Sequence, residues 1–258
     1  MAFLFDDGRR SVSGTTRALS FALALALFAG VCSGAFYFLS YQWAWRPVLG
    51  YWRLFWEGWL ATLGLAGLAL PLSCLVGLVS AAARRSGFLP LSYAARIFVE
   101  ITRGTPLLVQ IYIYWYVFGQ NLSRDYRFLA GALVLSLFEG AYISEIIRAG
   151  IESVGRSQWD SGRAIGFTRP QIYRHVVFPQ AIRRILPPLA GQFASIIKDS
   201  SLLSVLGISE FTLAAGQVNS FTFAVFESYV LVTVGYLVLT LPILLWTQSI
   251  EKHSRFET

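Results

Sequence analysis

A few ionisable side chains interrupt long apolar stretches of this 258-residue chain, and they are the first candidates for chemistry. Glu139 lies near the middle of one apolar stretch, and Tyr142 follows three residues later on the same side of a helix. An ionisable group inside a membrane span is costly, so it indicates a functional site by default. A carboxylate there suits an amino group or a cationic side chain. The alternatives are an ion pair between helices, with Lys198 as the partner, and a protonated carboxyl group.

A second polar group lies in the next apolar stretch. Gln192, Ser195 and Asp199 recur at helical spacing and therefore form one stripe along a helix. Such a stripe faces a protein interior or a water-filled path rather than lipid, unless it serves only as contact between helices. We predict a polar path through the protein. Its residues are Glu139, Tyr142, Gln192, Ser195, Lys198, Asp199, Ser200 and Ser201.

The composition places these residues in a membrane protein. The chain is 55% hydrophobic and only 14% charged, whereas soluble domains carry roughly 25% charged residues. Uniform apolar runs of this length span lipid as helices, so the sequence predicts an all-α, polytopic helical bundle of six spans. Pro71 predicts a kink in the second run, and Gly104 and Pro106 a bend in the third. The runs cover residues 18–40, 55–83, 91–118, 128–150, 188–206 and 226–250.

Charge sets the expected orientation. Most of the 21 Lys and Arg residues fall in segments on the same side as the N-terminus, and cytoplasmic loops collect such residues. We therefore predict that both termini are cytoplasmic, and we expect membrane lipid rather than nucleic acid to be the partner of these basic loops. The arginines before the first run are also typical of a signal peptide, but the length of the run favours a retained helix.

The connection at residues 151–185 differs from the other loops because it is basic and rich in residues that end helices. Its first part predicts a short helix over residues 157–165, with Ser157 as the N-cap. Gly166 follows, and glycine commonly ends a helix in the left-handed conformation. A basic amphipathic loop resting on anionic lipid would have the same composition.

The second part of this connection predicts another short helix. Thr168 provides a cap, and Pro170 lies in the first turn, where proline is well tolerated. Pro179 and the pair Pro187-Pro188 are expected to break the chain before the fifth run. The connection is therefore predicted to be two short helices rather than a domain.

The spacing within this connection resembles the EAA signature of permease subunits of ABC importers. That signature reads E-A-A, three residues, G, nine residues and I-x-L-P; here DSG begins at Asp160, Gly166 follows, and VVFP ends at Pro179. The resemblance runs from about residue 58 to residue 250. Four further stretches are similar to the polar amino-acid branch of this family: RGTPLLVQ (103–110), GAYISEIIRAGIESVGRSQWD (140–160), LPPLAGQF (186–193) and KDSSLLSVLGISEF (198–211).

The resemblance implies a five-helix importer core with one extra N-terminal transmembrane helix, in the inner membrane of a bacterium. Residues 1–54 then contain the cytoplasmic N-terminus, the extra helix and an outer loop. Residues 55–250 form the transmembrane domain, with residues 151–185 as its coupling loop. Residues 251–258 are a cytoplasmic tail.

The resemblance also implies partners. In this family the coupling loop docks on a separate cytoplasmic ATPase, which holds ATP and Mg²⁺; this chain has no P-loop and therefore no cofactor of its own. A second permease subunit, identical or similar, and an extracytoplasmic amino-acid-binding protein are also implied. The expected ATPase contacts are Trp159, Asp160, Ala164, Ile165, Gly166 and Phe167.

Two other classes of function fit less well. An intramembrane serine protease needs a base beside its serine, which Lys198 near Ser200 and Ser201 would supply, but the chain has no nucleophile elbow there. An ion-coupled transporter predicts repeated halves, and none is found. The sequence therefore favours an importer subunit that is not an enzyme and moves a polar amino acid. Glu139 and Asp199 favour a cationic one, such as arginine, lysine or histidine, whereas Lys198 argues against it.

Overall fold

In the computed structural model, residues 14–38, 41–119 and 124–254 are described, and every regular element among them is a helix. A π-helical turn (Trp115–Gly119) follows α5, another (Tyr173–Val177) joins α8 to α9, and a 3-10 turn (Ser200–Leu206) follows α9. The all-α prediction is confirmed. The helices are α1 (Gly14–Phe38), α2 (Trp45–Leu49), α3 (Trp52–Arg84), α4 (Leu89–Gly104), α5 (Leu107–Tyr114), α6 (Arg124–Glu152), α7 (Arg156–Ala164), α8 (Arg169–Ile172), α9 (Phe178–Asp199), α10 (Phe211–Thr222) and α11 (Val225–Ser254).

Helix α1 belongs to a compact unit of its own, Met1–Ala44, and the other helices belong to the unit Trp45–Thr258. The segment Ala18–Ala35 of α1 has a mean hydropathy of 2.0 and contains no charged residue. A helix that is apolar on all sides is suited to lipid. The first apolar run is therefore a helix long enough to cross a membrane.

The number of crossings follows from helix length and composition. Among the described residues, four helices are long and apolar enough to cross a membrane: Ala18–Ala35, Trp52–Arg84, Tyr126–Glu152 and Val225–Ile250. A fifth crossing is formed if Arg169–Leu206 and Phe211–Thr222, which meet at 49°, are one bent span. The third predicted span is divided between the amphipathic α4 and the short apolar helix Leu107–Gly119. The membrane helical bundle is confirmed, and the count of six spans stays a prediction.

The division between α4 and α5 has a local cause. Pro106 has no N–H and restricts Thr105 before it to extended geometry, with φ −123° and ψ 145°, so α4 ends at Gly104. The buried Gln110 side chain then donates hydrogen bonds to the Thr102 carbonyl and to the Thr105 hydroxyl, each at 2.7 Å. The bend predicted at this position is confirmed.

The core lies among α3, α6 and α9, and glycines let α3 and α6 approach closely. Ile143 of α6 packs against Gly77 of α3, and Val76 of α3 packs against Gly140 of α6, so neither glycine has room for a methyl group. Small residues at such contacts are typical of membrane helix pairs. Helix α3 continues through Pro71 without interruption, and a kink there stays a prediction.

The first short helix of the cytoplasmic connection, α7, begins at Arg156 after the non-helical Gly155, and no side chain caps it. The prediction of Ser157 as N-cap is therefore wrong, because Ser157 already lies in the first turn, where its backbone is helical. Gly166 has a φ of 82°, which glycine adopts without strain, so it ends this segment as predicted.

The second short helix begins as predicted, because Thr168 forms a capping box and Pro170 lies in the first turn. The break predicted before the fifth run is wrong. Pro179 lies in the first turn of α9, which then continues through Pro187 and Pro188 to its end. Proline is tolerated inside a membrane helix when neighbouring helices and side chains satisfy the freed backbone groups, and α9 packs against both α6 and α11.

Candidate functional site

A polar centre lies inside the apolar core, where α6 faces α9. Glu139 of α6 is fully buried, and the Gln192 side chain of α9 donates a hydrogen bond to its Oε2 atom. The Asp199 carboxyl group also interacts with Glu139, and the Lys198 ammonium acts on it electrostatically. No described group donates a hydrogen bond to Glu139 Oε1. The side chain that donates a hydrogen bond to Glu139 is thus Gln192, whereas the sequence analysis considered Lys198 as one of several alternatives.

Aromatic side chains lie on the same helices as this polar centre. Phe138 and Phe193 directly follow or precede its residues in the sequence, and with Tyr142 they belong to the apolar core or pack against it. The Tyr142 ring lies 5.1 Å from the Phe138 ring, and the Arg103 guanidinium of α4 lies 5.2 Å from the Tyr142 centroid. Because Glu139 is fully buried, hydrogen bonds and charges act more strongly on it than on a group at the surface.

The remaining predicted path residues lie in different environments. Ser195 and Ser201 are half-buried, and Lys198 is exposed. Ser200 is fully buried, and its hydroxyl donates a hydrogen bond to the Ile197 carbonyl at 2.7 Å. Ser200 is therefore engaged within its own helical turn, and the sequence offers no signal that separates it from the other serine of this stretch.

An ion cluster ties α3 and α4 to the last turns of α6. Glu145 accepts hydrogen bonds from Arg84 of α3 at 2.7 Å and from Arg148 Nε at 3.0 Å. Arg103 of α4 lies 3.7 Å from the same carboxylate, and Arg148 also pairs with Glu152. The spacing of Glu145 and Arg148 is visible in the sequence, but the contributions of α3 and α4 depend on tertiary packing.

The cytoplasmic segment presents its predicted contact residues in two ways. Ile165 is 68% exposed, although it is a large apolar residue. Trp159 and Phe167 are instead half-buried against a small apolar core between this segment and the end of α6, where the Trp159 ring lies 5.1 Å from that of Tyr173. Arg156 and Arg163, which the sequence did not single out, line a polar groove beside Trp159. The exposed contact residues are Asp160, Ala164, Ile165 and Gly166.

The arrangement favours binding over bond chemistry. Within the described ranges, no three His, Cys, Asp or Glu side chains are placed to hold a metal ion. The Ser200 hydroxyl is directed to a backbone carbonyl of its own helix. A polar centre shared by two helices, with the exposed Lys198 on the same helix as Gln192, is suited to binding a polar solute.

Most of the chain matches a known protein family. Residues 73–256 match the family described as "Binding-protein-dependent transport system inner membrane component". The chain is 35% identical over 199 residues to "Probable glutamine ABC transporter permease protein GlnM" of Bacillus subtilis (strain 168), covering 77% of this chain and 92% of that protein. It is 33% identical over 199 residues to "Glutamine transport system permease protein GlnP" of Escherichia coli (strain K12), covering 76% and 89%. It is 38% identical over 171 residues to "L-cystine transport system permease protein TcyB" of Bacillus subtilis (strain 168), covering 66% and 73%.

Solved structures share the fold. A chain of "Crystal structure of an amino acid ABC transporter with histidines" is 34% identical, with a TM-score of 0.76, and the match covers 83% of this chain and 100% of that chain. A chain of "Inward facing conformations of the MetNI methionine ABC transporter: CY5 SeMet soak crystal form" has a TM-score of 0.62 over 79% of this chain and 97% of its own. At 16% identity, the second match supports the fold alone.

Proposed function

The chain belongs to the family of binding-protein-dependent transport system inner membrane components, and from that premise we propose that this permease subunit of an amino-acid ABC importer carries a positively charged polar amino acid past Glu139 into the cytoplasm. The subunit is a multi-pass protein of the inner membrane and is not itself an enzyme, since the ATPase of this family is a separate chain. Movement of the amino acid through this subunit therefore depends on side chains inside the membrane that bind it.

The charge balance of the polar centre carries this proposal. Two carboxyl groups, those of Glu139 and Asp199, interact in an apolar setting, and Glu139 Oε1 has no described hydrogen-bond donor. With both carboxyl groups ionised and the Lys198 ammonium nearby, one negative charge stays in excess, so a solute that brings N–H groups and positive charge is favoured. Gln192 occupies one face of Glu139 in this conformation. We propose that the solute takes the place of Gln192 when α6 and α9 separate.

Uptake by the complete transporter in proteoliposomes tests this role of Glu139. We expect Glu139→Gln to lower arginine uptake about tenfold or more, because hydrogen bonds to a charged group are the strong ones, and to affect glutamine uptake much less. Glu57→Gln is the control, because Glu57 pairs with Arg53 at 2.9 Å on an exposed surface. Unchanged uptake of every cationic amino acid in Glu139→Gln would refute the proposal.

A neutral polar amino acid such as glutamine is the second candidate. It is supported by the names of two similar permeases, both glutamine transport proteins. A buried Glu139 that already binds a glutamine side chain, that of Gln192, shows that its carboxylate accepts a neutral amide. If the unsubstituted transporter takes up glutamine and not arginine, this candidate replaces the cationic one.

We also propose that the segment Asp160 to Gly166 docks on the ATPase, which holds ATP and Mg²⁺. Ile165 supplies exposed apolar area at the end of α7, and Asp160, Ala164 and Gly166 surround it. The half-buried Trp159 and Phe167 support this surface from behind. The remaining proposed partners are a second permease subunit, identical or similar, and an amino-acid-binding protein on the outer side, with both termini of this chain in the cytoplasm.

Copurification in mild detergent tests whether the ATPase binds the segment Asp160 to Gly166. We expect a chain with a P-loop to accompany the unsubstituted permease and the Ile165→Leu variant, and to be lost in Ile165→Arg. A change at Ile165 leaves the positive φ of Gly166 untouched, so the backbone of the segment is preserved. Retention of the ATPase by Ile165→Arg would contradict docking at this surface.

A further inference from the structure

Two consecutive arginines end α3, and they contact different parts of the molecule. Arg84 donates a hydrogen bond to Glu145 of α6 at 2.7 Å, and the side chains are only 13% and 21% exposed. Arg85 donates a hydrogen bond to the Tyr173 hydroxyl at 2.6 Å and lies 5.7 Å from the centroid of that ring. The end of α3 is thus attached to α6 by one residue and to the cytoplasmic segment by the next.

Tyr173 connects Arg85 to the proposed docking surface. Its ring meets the Trp159 ring of α7 edge-on at 5.1 Å and lies 5.8 Å from the Phe178 ring at the start of α9. Trp159 directly precedes Asp160, which belongs to the exposed surface. A displacement of α7 therefore reaches Tyr173 through an aromatic contact, and Arg85 through a hydrogen bond.

Glu145 connects Arg84 to the polar centre. It lies on the same helix as Glu139, six residues later, and it also binds Arg148 and contacts Arg103 of α4. Because α6 is a continuous helix between these positions, a shift at Glu145 moves Glu139 with it. Three helices thus meet at one carboxylate beneath the proposed path.

The apolar contacts of the cytoplasmic segment do not by themselves fix the direction in which a displacement of that segment is transmitted. Its small core contains Val154, Ile172 and Val177, and hydrophobic burial is non-directional, so such surfaces can slide. Charge-assisted hydrogen bonds are stronger and fix geometry. The two arginines therefore supply directional links that the apolar core lacks.

We propose that Arg84 and Arg85 are positioning residues that couple the docking segment to the membrane helices, so that ATP-driven displacement of α7 moves α3 and α6 together. The inference rests on the proposed function, because it requires an ATPase docked at α7. Rigid elements joined by a few defined contacts transmit such movements as bodies. Without the contacts made by Arg84 and Arg85, ATP hydrolysis continues, but the helices around Glu139 move less when α7 is displaced.

The experiment measures ATP hydrolysis and uptake of radiolabelled arginine and glutamine by the complete transporter in proteoliposomes. Tyr173→Phe keeps the ring against Trp159 and removes only the hydroxyl, and Arg85→Gln removes the charge. We expect both variants to retain the ATPase and to lower the amount transported per ATP hydrolysed about fivefold. Arg53→Gln, at the opposite end of α3, is the control, because that side chain is 81% exposed.

A paired substitution tests the contact between Arg84 and Glu145. Arg84→Gln and Glu145→Gln each remove the contact between these two side chains. The double variant should therefore lower the ratio of solute transported to ATP hydrolysed by less than the sum of the two single effects, since part of each effect comes from this shared contact. Additive effects would overturn this link. For the contact between Arg85 and Tyr173, the inference would be overturned by an unchanged ratio of solute transported to ATP hydrolysed, including the case in which hydrolysis and uptake fall in proportion. Loss of the ATPase from the complex in either variant would also overturn it. Absence of an ATPase from the unsubstituted complex would instead refute the proposed function.

Discussion

The contact between α3 and α6 makes Gly77→Ala a sharp test of packing. A Cβ atom at Gly77 would lie 2.5 Å from Ile143 Cγ2 and 2.8 Å from Ile143 Cβ. Ordinary contacts between carbon atoms are about 3.5–4.0 Å, so the two helices must separate locally by about 1 Å. Ile143 Cβ is fixed to the backbone of α6 and cannot rotate away.

The expected size of the effect comes from comparison with a second glycine. A Cβ atom at Gly67, on the same helix, would have no neighbour within 4 Å. Both substitutions gain about 1 kcal/mol of helix propensity, and only Gly77→Ala adds an overpacking cost of about 1–3 kcal/mol. The difference between the two variants therefore isolates the overpacking cost, because the propensity gain cancels.

Thermal unfolding in one detergent measures this difference, with the fluorescence of the 8 Trp residues as the signal. Gly67→Ala should unfold at or above the temperature of the unsubstituted protein. Gly77→Ala should unfold about 2–12 °C below Gly67→Ala, since the overpacking cost is about 1–3 kcal/mol and 1 kcal/mol shifts the midpoint by roughly 2–4 °C in a protein of this size. In an Ile143→Ala background, which removes Cγ2, the penalty of Gly77→Ala should shrink. Equal midpoints for Gly67→Ala and Gly77→Ala would refute the close contact of α3 with α6.

Three further substitutions have defined expectations in the same unfolding measurement. Gln110→Ala leaves the buried Thr102 carbonyl without its donor and should cost about 1–3 kcal/mol; no change would mean that another donor replaces it. Phe223 has a φ of 56°, so Phe223→Gly should retain or raise stability by up to about 1 kcal/mol despite the lost side chain, and a clear decrease would contradict this. Glu210→Ala removes the cap that accepts two backbone N–H groups at the start of α10 and a hydrogen bond from Tyr236, and should cost roughly 2–3 kcal/mol; an unchanged midpoint would show that water replaces the carboxylate.

Local backbone chemistry made part of this structure predictable from the sequence. Pro106 restricts the residue before it, Gly166 can adopt a positive φ, and Thr168 can cap a helix, and each of these properties belongs to the residue itself. The structure shows all three at the predicted positions. Helix ends set by such residues are therefore accessible without tertiary information.

Contacts between distant segments were not predictable in the same way. Gln192 is separated from Glu139 by 53 positions and Arg84 from Glu145 by 61, and nothing local in the sequence marks Gln192 or Arg84 as a partner. Glu139 and Gln192 lie on helices, as the sequence predicts, but their pairing depends on how α6 and α9 pack. The continuation of α9 through its two prolines depends on the same packing.

The π-helical turn at Tyr173–Val177 has a consequence for how this chain tolerates insertions and deletions. Such a turn holds one residue more than an α-helix would, and each residue of an α-helix rotates the chain by about 100°. Within a regular α-helix the loss of one residue would turn every later side chain by about 100°, whereas loss of one residue from this turn converts it into an α-helical turn and leaves Gln192 and Asp199 facing Glu139. A related chain that lacks the extra residue can therefore keep its polar side chains facing α6 without any other change.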